Sequence, residues 1–185
     1  MRVIAGTFRG RAIHTEKGQW LRPTTDKVRK HIFDSLGPLV QETKVLDLFA
    51  GTGSLGIEAL SRGADMATFI DRSRRATSLI RKNLSSIQIT TCVKVICTEV
   101  LSYLRKYNDC PFDLIFADPP YEFKHYDELF LLLGTSTIMT KAGIFLLECS
   151  TRNELKLLDN ALEIVRDRKI GDTRIVWFKH CGADI

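Results

Sequence analysis

Long apolar runs are missing from this sequence. None approaches the ~18 residues of a membrane span, which excludes a helical membrane protein. No apolar stretch follows Met1-Arg2-Val3-Ile4-Ala5-Gly6, so a secretory signal is not expected and a cytoplasmic location is. Cysteine is sparse and unpatterned. Its five positions (92, 97, 110, 149 and 181) are odd in number and contain no C-x-x-C pair, so they read as reduced thiols and not as a disulfide or zinc framework. The four histidines (14, 31, 125 and 180) include no i, i+4 pair, and no metal is expected. Only five Pro and 12 Gly occur, too few for a collagen-like or low-complexity chain. What is present is ordinary for one globular domain: 185 residues, 44% hydrophobic and 26% charged. A chain of this size buries roughly 70% of its unfolded surface, enough core to fold without staples.

Charge is unevenly placed. Residues 1–30 hold eight basic and two acidic side chains, a balance of +6, against 19 basic and 20 acidic in the remainder, a balance of −1. A basic arm on a near-neutral body points to a polyanionic partner, most often nucleic acid, although a solvated basic surface has the same composition.

Residues 3–16 form short extended runs broken by Gly6 and Gly10, which predicts a hairpin. Thr24-Thr25-Asp26 ahead of Val28, Ile32, Phe33 and Leu36 predicts a capped helix that Gly37-Pro38 stops. From residue 44 onward, short apolar runs alternate with helical periods. The strands expected are Val45–Phe49, Ala67–Ile70, Val93–Cys97, Phe112–Ala117, Ile144–Glu148, Leu162–Val165 and Ile175–Lys179. The helices expected are Leu55–Arg62, Ser73–Leu84, Val100–Lys106, Tyr126–Leu133 and Asn153–Leu158. Continuous apolar strands alternating with helices predict an α/β fold with a mainly parallel sheet covered on both faces. The short turn Lys169–Asp172 predicts that the last two strands close the sheet as an antiparallel hairpin.

The first core strand runs into Asp47-Leu48-Phe49-Ala50-Gly51-Thr52-Gly53-Ser54-Leu55-Gly56, which contains G-x-G-x-x-G between strand and helix. Asp71 lies 20 residues beyond Gly51, at the end of the next strand. Glycines there allow a tight turn and close approach of a ligand to backbone N–H groups, and the acidic residue can accept from ribose hydroxyls. Both NAD and S-adenosylmethionine fit such a loop. Asp47, inside the strand, favours the second, since a buried carboxylate needs donors or positive charge. S-adenosylmethionine offers an ammonium and a sulfonium, whereas NAD offers a pyrophosphate. Asp47 can alternatively serve by bonding backbone groups of the loop.

Asp118-Pro119-Pro120-Tyr121 follows the strand Phe112–Ala117, whose carboxyl end should border the ligand crevice. Two prolines fix the backbone and present carbonyls without N–H groups. A carboxylate beside rigid carbonyls is suited to gripping an exocyclic NH2 group, and Tyr121 offers a face on which a base can stack. Hydrogen bonds from both N–H groups favour a pyramidal nitrogen whose lone pair faces a methyl carbon.

Asp118–Tyr121 together with Asp47–Gly53 resembles the class I S-adenosylmethionine-dependent amino-methyltransferases. More narrowly, the chain resembles the RsmD family, which methylates N2 of one guanine in bacterial 16S ribosomal RNA. The resemblance includes Arg2–Gly6 with Arg9-Gly10-Arg11, Arg22-Pro23-Thr24-x-Asp26-x-Val28-Arg29 and Glu58–Ala64. It implies a Rossmann-like seven-stranded, mostly parallel sheet with an antiparallel C-terminal hairpin. Residues 1–38 would be an RNA-contacting hairpin and helix, and residues 39–185 the methyltransferase domain. S-adenosylmethionine would be held by Asp47, Phe49, Gly51 and Gly53, with Asp71 at the ribose, Glu99 and Val100 at the adenine and Asp118 at the reacting end. Glu99 stands where family members often have Asp. Asp118, Pro119 and Tyr121 would be the catalytic residues. Lys27 and Lys30 stand where family members often have Arg and Glu.

Arg2, Arg9, Arg11, Arg22 and Arg29 are the candidates for RNA-backbone contacts. The cluster Arg72, Arg74, Arg75, Arg81 and Lys82 reads first as a solvated helix face. The partner implied is 16S rRNA, within an assembling or assembled small ribosomal subunit. Rival functions are a DNA adenine-N6 methyltransferase, an NAD oxidoreductase and a non-catalytic RNA-binding module. The lack of a separate base-reading or substrate domain counts against the first two.

Overall fold

The computed structural model describes residues 1–15, 25–157 and 161–182. Arg22 and most of the Arg22–Arg29 motif's first half therefore lie outside the described residues. Helix α1 (Asp26–Leu36) starts where the Thr25 hydroxyl accepts from the Val28 N–H. It ends at Gly37, whose φ of 54° suits a residue without Cβ and whose N–H reaches the Phe33 carbonyl. Pro38 then enters a 3-10 turn over Gly37–Val40.

After α1 the chain alternates between β1 (Lys44–Leu48), α2 (Ser54–Ser61), β2 (Met66–Asp71), α3 (Arg74–Ile87), β3 (Val93–Cys97), α4 (Val100–Lys106), β4 (Phe112–Ala117) and α5 (Tyr126–Thr135). Strands β5 (Met139–Ser150), β6 (Leu162–Ile170) and β7 (Thr173–His180) follow. One seven-stranded sheet has the order β3-β2-β1-β4-β5-β7-β6. The first five strands of that order pair in parallel, while β7 runs antiparallel to both β5 and β6. This is the expected α/β architecture.

Successive strand residues point to opposite faces, and both faces are buried, which is why the central strands read as unbroken apolar runs. Val45, Phe69, Leu114, Phe116 and Leu146 join α1, α2 and α3 on one face. Leu46, Leu48, Ile70, Ile115, Phe145 and Phe178 join α4 and α5 on the other. The N-terminal segment belongs to the first of these clusters. It is a short hairpin with an antiparallel bridge between Arg2 and Ala12, and its Val3 and Ile13 are buried beside Ile32 and Phe33.

Three expectations need correction. Residues 153–157 are not helical; their exposure alternates residue by residue, with Leu155 and Leu157 turned toward the second cluster. The spacing 155/157 is a strand period, and six residues are too few to reward helix nucleation. Strand β5 begins five residues earlier than the apolar run shows, and β6 extends to Ile170 with a register shift between Ile164 and Arg166. Apart from Leu162, the β6 residues are largely exposed on an edge strand, so hydrophobicity does not mark it.

Candidate active site

The parallel register aligns the carboxyl ends of three strands. Leu48 pairs with Ile70 on one side and Ala117 on the other, so Phe49, Asp71 and Asp118 emerge side by side along the crest. The glycine loop lies directly above. Gly51 and Gly53 have φ values of 54° and 77°, and Phe49 also adopts a positive φ, 58°, which is costly for a side chain of that size. The loop is held from several sides. The Ala50 N–H donates to the Ile70 carbonyl at 3.0 Å, and the Gly51 N–H donates to Asp71 Oδ2 at 2.9 Å. The Asn83 amide donates to the Thr52 carbonyl at 2.9 Å. A Cβ on Gly56 would stand 2.3 Å from Phe69 Cε1, so glycine there is what lets α2 lie close against β2.

Asp47 is 2% exposed and its Oδ2 accepts from the Gly56 N–H at 2.9 Å. The loop-bonding role is therefore real. It does not offset the cost of the buried charge: burial pushes the Asp47 carboxyl up to about 8, and the negative charges of Asp118 and Asp71 add to that effect against the Gly56 N–H. Three acidic residues thus stand at or near the carboxyl ends of the adjacent strands β2, β1 and β4, and their mutual repulsion is of a kind that a cationic ligand relieves.

Asp71 is half-buried. Besides Gly51, it takes the Ser73 N–H on Oδ1 at 2.8 Å. Each oxygen keeps a second lone pair for a ligand hydroxyl. Glu99 is exposed and caps α4, accepting from Leu101 N–H at 3.1 Å and Ser102 N–H at 2.7 Å. Burial alone would raise its carboxyl, but these N–H groups hold it below the usual range. Val100 is buried, with its side chain in the second cluster.

Asp118 is half-buried, Pro119 buried, and the Tyr121 ring 63% exposed. The Pro120 carbonyl closes a turn by accepting the Phe123 N–H at 2.9 Å. Phe49 meets Phe123 edge to face, with centroids 5.0 Å apart, and so joins the glycine loop to the loop after the tetrad. Phe123 was not marked by any motif; an aromatic residue two positions after Tyr121 is its only signal.

The basic arm divides. Arg2, Arg9 and Arg11 are exposed on the hairpin, with the Arg2 guanidinium donating to the Gly10 carbonyl. Arg29 corrects the expectation of a phosphate contact. It is fully buried, donating to the Arg2 carbonyl at 2.5 Å and to Asp26 at 3.1 Å, with Nε 3.8 Å from Glu58. Burial lowers the pKa of its guanidinium, against the pull of Asp26 and Glu58. Its position supplied the signal: 29, 32, 33 and 36 share one helix face, so Arg29 falls on the apolar stripe.

Two further residues were missed. Buried Glu58 accepts the Ile4 and Ala5 N–H groups and the Arg62 guanidinium, fixing the hairpin to α2. Asn83, also buried, bonds both the N–H and the carbonyl of His14 as well as the glycine loop. Among the described residues no cluster of three or more His, Cys, Asp or Glu could hold a metal ion, and no helix is long and apolar enough to cross a membrane.

Comparison with known proteins agrees with this geometry. The Escherichia coli protein Ribosomal RNA small subunit methyltransferase D is 32% identical over 171 residues, covering 92% of this chain and 85% of that one. The Haemophilus influenzae protein of the same name is 37% identical over 135 residues, covering 72% and 70%. The solved structure of Escherichia coli yhhF, a methyltransferase by description, superposes with a TM-score of 0.87 at 28% identity, covering 97% of each chain. A family model described as Conserved hypothetical protein 95 matches residues 1–179. The chain therefore belongs to that family, the RsmD family.

Proposed function

We propose that this protein is an S-adenosylmethionine-dependent methyltransferase that modifies the exocyclic N2 of a guanine in small-subunit ribosomal RNA. Family membership and the names of its relatives support the reaction class and the RNA substrate. The single observation that carries the chemistry is the juxtaposition at the crest. Asp118 of the Asp-Pro-Pro-Tyr tetrad follows β4 on one side of β1, which carries Asp47 and leads into the glycine loop, while Asp71 ends β2 on the other side. The donor set fits the cofactor, because a ligand with both ammonium and sulfonium charge answers the three acids. Asp47, Phe49, Gly51 and Gly53 would hold its amino-acid end, Asp71 its ribose, and Glu99 with Val100 its adenine.

When bound, S-adenosylmethionine supplies a methyl carbon made electrophilic by the adjacent sulfonium. The chain's own residues supply position. Asp118 accepts one N–H of the guanine amine and the Pro119 carbonyl the other, which aims the nitrogen lone pair at the methyl carbon, while Tyr121 stacks on the base. Near-attack geometry of this kind is worth several kcal/mol of barrier in well-oriented systems, about 7–11 at the upper end. Asp118 would take the surplus proton from the nitrogen once it is methylated and pass it to water. A guanine within a helix cannot reach the crest, so the base is unpaired or flipped out. The compact reading surface, formed by the hairpin arginines Arg2, Arg9 and Arg11, favours a protein-containing ribosomal particle as substrate.

The test is nucleoside analysis after incubation with labelled methyl donor and, in parallel, small ribosomal subunits, naked 16S RNA or DNA. N2-methylguanosine in the RNA is the expected product. Methyladenine in the DNA arm, with none in RNA, would overturn the substrate.

A further inference from the structure

The five basic residues of the α3 region are all exposed, as a solvated face requires, but they do not form a single stripe. Arg81 turns aside and donates to the Val95 carbonyl at 2.9 Å. Arg74, Arg75, Ser78, Leu79 and Lys82 instead line a groove of about 510 Å3, whose other wall is His14 and Thr15 at the end of the hairpin. Among the described residues no carboxylate lines it. Arg74, Ser78 and Lys82 follow one another at i, i+4 and i+8, a single stripe about 12 Å long at 1.5 Å per residue.

This placement works against helix stability. No acidic residue occupies the first turn of α3 and no basic residue the last, while Arg74 and Arg75 open it. Cations near a helix N-terminus oppose the macrodipole, and like charges crowded on one face repel. An anion in the groove would offset both at Arg74 and Lys82. The groove is also firmly tied to the active site. Its hairpin wall is held through His14 by Asn83, and the same Asn83 amide holds the Thr52 carbonyl of the glycine loop. At the crest end, Ser73, the cap of α3, donates its N–H to Asp71.

We propose that this groove is a second RNA-backbone subsite, separate from the exposed hairpin arginines, which grips phosphates flanking the target nucleotide and registers the RNA against the crest. It rests on the RNA-methyltransferase function proposed above. The stripe length and its two terminal cations, Arg74 and Lys82, fit about two phosphate contacts. The groove takes backbone and reads no base, since among the described residues only Ser78, Thr15 and His14 offer it hydrogen bonding of the kind that bases present.

The test compares wild type with Arg74→Gln/Lys82→Gln, which keeps much of the side-chain length and removes charge. Binding to 16S RNA is measured across a potassium chloride series, with calorimetry of S-adenosylmethionine binding as the control for folding. Loss of two phosphate contacts should weaken binding roughly 10-fold near 0.1 M salt and lower the log–log salt slope by about 1.4–1.8. An unchanged affinity and slope, with cofactor binding intact, overturns the proposal. Normal binding of naked RNA combined with lost binding of the ribosomal particle also overturns it, since the groove would then take a protein. Failure of the wild type to methylate any small-subunit RNA refutes the function itself, whereas the groove is judged by the variant's slope alone.

Discussion

At residue scale, the Asp47 carboxyl stands at about 8 in the fold against 3.8 in an exposed chain, raised chiefly by burial. Between those values the folded protein holds a proton that the unfolded chain has released, so the stability this group contributes is complete below about pH 4 and is lost as pH rises through about 8. Asp47→Asn keeps an acceptor for the Gly56 N–H and removes the buried charge. Thermal melts should place this variant within a degree or so of wild type near pH 3, where the carboxyl is largely neutral in both states, and higher by on the order of 5 °C at pH 8.5. Binding of a cationic cofactor should ionise Asp47. Calorimetric titrations of S-adenosylmethionine at pH 7, in two buffers of different ionisation enthalpy, should therefore report proton release by wild type and little by Asp47→Asn. Equal heats in both buffers would separate Asp47 from the cofactor's charge. That Asp47 lies at the end of a strand under a glycine loop was legible from sequence; how far its burial and its two acidic neighbours perturb it was not, because Asp71 and Asp118 are distant in the chain.

Among the elements, the close packing of α2 on β2 and the docking of the hairpin are each vulnerable to single changes. Gly56→Ala drives a Cβ into the Phe69 ring, and overpacking of this kind costs about 1–3 kcal/mol. Chemical denaturation should show that loss, with Phe69→Leu recovering part of it in the double variant; additive losses would mean that the ring is not what the methyl meets. Arg29→Met leaves the buried Arg2 carbonyl without its donor, while Glu58 keeps Arg62 and two main-chain N–H groups, so the cost is that of one unmet buried acceptor, about 1–3 kcal/mol. Its effect belongs in the stability of the fold, and RNA affinity per folded molecule should stay at the wild-type value. A selective loss of RNA binding at full stability would restore Arg29 to the surface. Strands with apolar runs were legible, as were helices with capping residues, because each carries its period locally. The extension of β5 and the edge strand β6 were not, since their pairing comes from the sheet and not from their own hydrophobicity. Residues 153–157 show the opposite failure: a strand period too short to be distinguished from a helix by composition.

Across the whole molecule, hairpin, glycine loop and tetrad act as one frame. Glu58 pins the hairpin to α2, Asn83 ties it to the loop, and Phe49 against Phe123 ties the loop to the segment after Asp118. The sequence motifs located the loop and the tetrad; the bridges between them are single residues with no motif of their own. Such a frame is suited to catalysis by position, and the function proposed here makes Asp118 the group that would touch the acceptor amine. The most direct measurement is single-turnover methyl transfer to the same preparation of small ribosomal subunits by wild type and Asp118→Asn, with cofactor affinity measured alongside. An amide side chain retains one acceptor but cannot take the proton, so the rate should fall by on the order of 100-fold or more while the cofactor Kd stays within about threefold. Transfer by the variant at the wild-type rate would contradict the assignment of the amine to Asp118.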